Sequence, residues 1–258
     1  MGEALAGGLI SSGWAAASEI AVVEPYEARR KDLASRHPGL HVAEKVQVAL
    51  EVGGVPEGAV VAVKPADAHA ACRDLAPVGV QRVLSIAAGI TTASLESWLG
   101  GATAVVRAMP NTPALVGAGA AAIAGGATAG PDDLAWASGV LRAVGTVVTV
   151  HEPALDAVTG LSGSGPAYVF LFAEALIDAG VLVGLTRPVS RQLAIQTLLG
   201  SARLLDETGE EPSALRAAVT SPGGTTAAGL RALESAGVRS GILDAVAAAT
   251  QRARELGR

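Results

Sequence analysis

Two stretches place small hydroxyl residues and glycines directly ahead of long apolar segments: "DAVTGLSGSGPAY" at residues 156–168 and "AVTSPGGTTAAG" at residues 218–229. Where such a run opens a helix, the first-turn N–H groups lack intrahelical partners, and together with Ser or Thr hydroxyls they can converge on a carboxylate. One such loop is ordinary helix capping, with Thr225 or Thr226 as the cap. Two in one half of a chain point to an anion pocket. Upstream, "AVKP" (62–65), "SIAAGI" (85–90) and "RAMPNTP" (107–113) each follow a β-branched run. Lys64, Pro65, the small residues around Ala88, and Asn111 are thereby expected at the carboxyl ends of strands, the edge where open α/β sheets bind ligands.

The front of the chain adds a phosphate-binding signal. Gly2 opens a helical pattern carried by Ala4, Leu5, Leu9 and Ile10. It can be the last glycine of a G-x-G-x-x-G turn, which seats a dinucleotide pyrophosphate on a helix N-terminus. About twenty residues on, where a second strand should meet the adenosine ribose, "EIAVVEPYEARR" ends in Glu24, with Arg29 and Arg30 a turn beyond. A carboxylate there favours the free 2'-hydroxyl of NAD, whereas an arginine suits the 2'-phosphate of NADP. The two signals oppose one another, and the sequence leaves both cofactors open.

The elements that must position these residues follow from periodicity. "EIAVVE", "AVVAVKP", "RVLSIAAG" and "TAVVRAMPN" read as strands separated by helical stretches, which predicts an α/β domain with a parallel sheet covered on both faces. From about Glu152 the strand pattern stops, and helices follow with breaks at "GSGP", "GLTRP", "GEEP" and "SPGG". This divides the chain into a dinucleotide-binding domain, 1–150, and a helical domain, 151–258. The apolar run "GPAYVFLFAEALIDAGVLVGL" nearly reaches the length of a membrane span, but Glu174 and Asp178 interrupt it at helical spacing. A soluble helix buried on most sides is the better reading, and a helix buried all round suggests a partner subunit.

Composition narrows the function classes. Of 258 residues, 50% are hydrophobic and 3% aromatic, so the core must rest on Ala, Val, Leu and Ile. A net charge of -5 argues against nucleic acid or an anionic membrane surface as a partner. The single cysteine, Cys72, excludes an intrachain disulfide framework, and no basic segment precedes the apolar N-terminus. A cytoplasmic location is expected. The four histidines, His37, His41, His69 and His151, have no ligand spacing, and no metal is expected.

Taken together, these stretches resemble the pyrroline-5-carboxylate reductase family. Pro212, Leu215, Val219, Thr220, Ser221, Gly223, Gly224, Thr226, Gly229, Leu233 and Glu234 fall where that family's signature asks, and "AVKP", "AAGI", "RAMPN" and "DAVTGLSGSGPAY" match it in order and spacing. The resemblance covers essentially the whole chain. It implies a Rossmann-type N-terminal domain, a helical domain that interleaves with a second subunit, and homodimers or pentamers of dimers. It also implies NADPH- or NADH-dependent reduction of L-1-pyrroline-5-carboxylate to L-proline, the last step of proline biosynthesis. Carried over, it places Val63, Lys64, Pro65 and Ala88 at the cofactor, with Gly2 in the phosphate turn. Glu152, Thr159, Ser221, Thr225 and Thr226 fall at the substrate, and Thr226 is the candidate catalytic hydroxyl. Thr225 stands where many members have alanine, and Ala218 where some have asparagine.

Rival readings are weaker. Reductases of β-hydroxy acids use a lysine on the helix after the domain boundary, and "LSGSGPAYVFLFAEAL" has none. A non-catalytic helical dimerisation protein, its cofactor domain having lost its first strand and its function, would be told apart by failure to bind cofactor. On the reductase reading, "MGEALAGGLI" is the tail of a phosphate turn whose strand and first two glycines are absent, and Met1 is an internal methionine. Loss of three buried apolar side chains from a central strand amounts to roughly 5 to 9 kcal/mol, so the first domain is expected to be unstable or inactive as it stands.

Overall fold

β-Branched runs make strands here wherever they can be covered from both sides. The computed structural model describes residues 1–257, which divide into two compact units: residues 1–164 together with those from 248 onward, and residues 165–247. The first unit carries all seven strands: β1 (Ala21–Val23), β2 (His41–Ala43), β3 (Gly58–Val61), β4 (Arg82–Ser85), β5 (Ala104–Met109), β6 (Gly119–Gly125) and β7 (Gly145–Thr149). Helix α1 (Gly2–Ser11) precedes them, α2 (Glu27–Arg36), α3 (Val46–Gly53), α4 (Ala68–Leu75), α5 (Thr92–Leu99) and α6 (Pro131–Arg142) run between them, and the short α7 (Leu155–Val158) follows β7.

Alternation along the central strands sorts side chains between two cores. Leu84 and Val106 point to the face covered by Leu5 and Leu9 of α1 and by Ala137, Val140 and Leu141 of α6. Val83 and Val105 point to the opposite face, against Cys72 of α4 and Leu95 and Leu99 of α5. All four strand residues are fully buried.

The sheet departs from the predicted parallel one in two respects. Strand β6 pairs antiparallel with β5, while β3–β4, β4–β5 and β6–β7 are parallel. The link from Met109 to Gly119 holds only a short 3-10 turn, Thr112–Val116, and a parallel crossover needs a dozen or more residues. The sheet is also in two pieces, β1–β2 and β3–β4–β5–β6–β7. The five-stranded piece has a dense core, whereas β1 leaves Val23 exposed.

The second unit is helical: α8 (Gly165–Leu182), α9 (Arg187–Thr208), α10 (Pro212–Ala218), α11 (Thr225–Ser235) and most of α12 (Val238–Leu256). Helices α8 and α9 pack together. Within the single chain α8 buries no residue and exposes Val169, Phe170, Leu171, Phe172 and Leu182, so burial on most sides would have to come from a partner subunit. The run Glu152–Leu182 is long and apolar enough, by length and composition, to cross a membrane.

Candidate active site

The strand-end motifs gather at the carboxyl edge of the five-stranded piece. Val61 and Ser85 are paired neighbours, and the Ile86 N–H donates to the Val61 carbonyl at 3.1 Å, so the loops after β3 and β4 leave the sheet side by side. The first carries Val63, Lys64 and Pro65. Pro65 opens a 3-10 turn that leads into α4, and Val63 and Lys64 stay exposed. The second loop carries exposed Ala88 and then Gly89. Gly89 has φ +76°, and a Cβ there would lie 3.2 Å from the Leu256 carbonyl oxygen, so this loop is pinned where only glycine is unstrained.

Gly2 begins α1 against the same edge. A Cβ on Gly2 would approach the Ala62 Cβ to 3.1 Å, so the helix mouth and the end of β3 meet as closely as a dinucleotide turn requires. The residues present fit that group. The α1 N-terminus offers unpartnered N–H groups for a pyrophosphate, and small or exposed side chains line the two loops beside it.

Arg29 and Arg30 are engaged by the protein itself. Arg29 pairs with Glu3 of α1 and with Asp32 at 2.5 Å, and the Glu3 hydrogen bond raises its pKa above the ordinary arginine value. Arg30 Nη1 donates to the carbonyls of Glu24 (2.9 Å) and Pro25 (2.7 Å).

Glu152 anchors the segment that follows β7. Its Oε1 accepts from the Thr92 N–H at 2.7 Å and from Arg107 Nη1 at 3.1 Å, while Oε2 accepts from Thr92 Oγ1 at 2.7 Å. Burial pushes the carboxyl pKa up, but the Thr92 and Arg107 hydrogen bonds outweigh it, and the group is held below the ordinary glutamate value. Thr92 opens α5, directly after the Ala88 loop, and Arg107 is a buried charge in β5. Both carboxylate oxygens are thus occupied by the fold.

Asn111 makes a second tie. Its Nδ2 donates to the Ser162 carbonyl at 3.1 Å, and its Oδ1 accepts from the Ala120 N–H at 2.9 Å. Residues Thr159–Gly163 form a single π turn, a local irregularity that recurs at functional sites. Within it the Thr159 hydroxyl donates to the Leu155 carbonyl at 2.8 Å, leaving its lone pairs free to accept. Sequence reasoning left Thr92 and Arg107 out of the site. An arginine inside the apolar run "AVVRAM" was the available signal, because a buried charge demands a partner.

In the second unit, Ser221, Thr225 and Thr226 surround the start of α11. Gly223 takes φ +71°, and Gly224 is the N-cap, its N–H donating to the Ser221 carbonyl at 3.0 Å. Thr226 is half-buried, and Ser221 and Thr225 are exposed. Three hydroxyls and the first-turn N–H groups of an eleven-residue helix therefore cluster at one helix mouth.

This geometry can be compared with known proteins. The family described as pyrroline-5-carboxylate reductase dimerisation matches residues 152–256. A pyrroline-5-carboxylate reductase of Synechocystis sp. is 46% identical over 260 residues, spanning 100% of this chain and 95% of that relative. The chain belongs to the pyrroline-5-carboxylate reductase family. Among solved structures, a pyrroline-5-carboxylate reductase from Coxiella burnetii superposes with a TM-score of 0.91 at 38% identity, covering 99% of this chain and 94% of that one. The Plasmodium falciparum pyrroline carboxylate reductase, solved with NADP bound, superposes with a TM-score of 0.85 at 30% identity, covering 100% and 95%. The first unit is accordingly of Rossmann type, and the exposed apolar face of α8 lies inside the stretch matched by the dimerisation family.

Proposed function

We propose that the chain catalyses NAD(P)H-dependent reduction of L-1-pyrroline-5-carboxylate to L-proline, the last step of proline biosynthesis, as a cytoplasmic homodimer. The observation that carries this reading is full-length similarity to named reductases, together with a strand-end cradle beside Gly2 and a hydroxyl-rich helix mouth at Thr225–Thr226. Gly2, Val63, Lys64, Pro65 and Ala88 form the cofactor side, with Arg30 holding the turn after β1 and Arg29 tying α2 to α1 beside it. The bare apolar face of α8 supports the dimer, on which a pentamer of dimers can be built. Buried, unpaired Cys72 suits a reducing compartment.

The chemistry needs little from the protein. The reduced nicotinamide supplies a hydride when bound. The protonated cyclic imine is already a good acceptor: as hydride adds at the imine carbon, which becomes C5 of proline, the C=N π pair settles on nitrogen and gives the secondary amine. What the chain must do is hold the imine carbon in line and favour the iminium. In this reading Thr226 Oγ hydrogen-bonds the ring nitrogen, and the first-turn N–H groups of α11, with the Ser221 and Thr225 hydroxyls, take the carboxylate. Thr159 supplies an acceptor from the π turn. Glu152 serves the substrate side by fixing Thr92 and Arg107, since both of its carboxylate oxygens already accept hydrogen bonds from them.

The test is Thr226→Ala. Loss of a hydrogen bond to a charged group, about 1.5 to 3 kcal/mol, should lower kcat/KM for the imine by roughly ten- to a hundredfold, with Thr226→Ser restoring most of it. An unchanged kcat/KM in Thr226→Ala removes this hydroxyl from the mechanism.

A further inference from the structure

We propose that Glu24 makes NADH the preferred cofactor of this reductase, a selectivity that rests on the cofactor-site reading above. The sequence sets a carboxylate against two arginines at the ribose corner, and the structure gives those groups unequal freedom. Glu24 follows β1 directly, and its N–H donates to the Ala43 carbonyl at 2.9 Å, so its backbone is fixed at the carboxyl edge of the strand. One carboxylate oxygen accepts the Tyr26 N–H at 3.0 Å, and no further donor to the side chain is found among the described residues. A half-buried acid at the end of this strand is placed to accept a ribose 2'-hydroxyl.

The cations are committed elsewhere. Arg29 is shared between Glu3 and Asp32. Arg36 pairs with the same two carboxylates, at 2.6 Å and 3.4 Å. Arg30 holds the carbonyls of Glu24 and Pro25, and its other terminal nitrogen lies 3.9 Å from Glu44. A 2'-phosphate would have to compete with Glu3 and Asp32 for Arg29 and with two carbonyls for Arg30, while its own charge of nearly -2 faces the Glu24 carboxylate. The 2'-hydroxyl of NADH meets none of these costs and gains an acceptor. Glu24 discriminates by attraction to one cofactor and repulsion of the other.

The test is fluorescence titration of the full chain with NADH and with NADPH, alongside kcat/KM for each. NADH should bind about tenfold or more tightly than NADPH, a ratio set by one charge-assisted hydrogen bond and one like-charge contact. Glu24→Gln keeps the size and the acceptor for Tyr26 but removes the charge, and should close most of that ratio, chiefly by improving NADPH. Equal or tighter binding of NADPH by the wild-type chain overturns the proposal. So does an unchanged ratio in Glu24→Gln, or an Arg30→Ala variant that loses NADPH alone, which would assign the 2'-phosphate to Arg30. Binding of neither cofactor overturns the cofactor-site reading and this proposal together, and is distinct from equal binding of both.

Discussion

Replacing Glu152 by alanine removes three hydrogen bonds at once, two from Thr92 and one from Arg107. Arg107 then stands at 8% exposure without a carboxylate, and the first N–H of α5 loses its acceptor. Breaking a buried pair by deleting one partner costs about 3 to 5 kcal/mol. The Glu152 side chain is 25% exposed, and water can replace part of what is lost, which sets the expectation near about 3 kcal/mol. In a protein of this size that corresponds to a fall in Tm of roughly 6 to 12 °C. Glu27→Ala is the matched control. Its pair with Lys31 is shorter, at 2.7 Å, but both side chains are at least 70% exposed, so it should cost under about 0.5 kcal/mol. Burial rather than distance decides the outcome.

The same pair sets a pH signature. The folded Glu152 pKa lies below its unfolded value, so its contribution is full above the ordinary glutamate range and is lost as pH falls through the folded pKa. The Tm gap between wild type and Glu152→Ala should stay constant at neutral pH and narrow on acidification. Differential scanning fluorimetry across pH reads both effects. A Tm within about 2 °C of wild type at neutral pH, or a gap that persists unchanged in acid, refutes the reasoning.

Two further outcomes follow from packing. A Cβ on Gly145 would sit 1.9 Å from the Gly119 carbonyl oxygen, across the β6–β7 pairing. Backbone cannot yield there as a flexible side chain can, so Gly145→Ala should cost at least about 3 kcal/mol and reduce soluble yield; near-native thermal stability would contradict this. Hydrogen exchange should find the amides of β1 and β2 opening at least about a hundredfold more often than those of β4 and β5, because the two-stranded piece carries few buried side chains. Uniform protection across all seven strands would show that the split sheet has no energetic consequence.

What could be read in advance depended on how local its cause is. Strands β4 and β5 were legible because Val83, Leu84, Val105 and Val106 are an uninterrupted apolar signal for a strand buried on both faces. Strand β6, "GAAAIAG", was not, since alanine and glycine carry little strand tendency and its place is set by partners on either side. Its antiparallel direction follows from the shortness of the preceding link, which becomes informative only once β6 is known to exist. The loops at Lys64 and Ala88 were legible as strand-end chemistry. The partners of Glu152, by contrast, lie 60 and 45 residues away in sequence, and no periodicity connects positions so distant. The contest between Glu24 and the arginines likewise turned on Glu3, whose reach from α1 to α2 no spacing rule foretells.

The central claim is hydride transfer to the imine carbon, and isotope transfer tests it most directly. The enzyme is supplied with L-1-pyrroline-5-carboxylate and a reduced nicotinamide cofactor carrying deuterium at C4 on the transferred face, and the product is examined by mass spectrometry and NMR. The expected result is L-proline bearing the deuterium at C5, formed in proportion to cofactor oxidised. Folded, cofactor-binding enzyme that yields no labelled proline, or that oxidises the cofactor without it, contradicts the account.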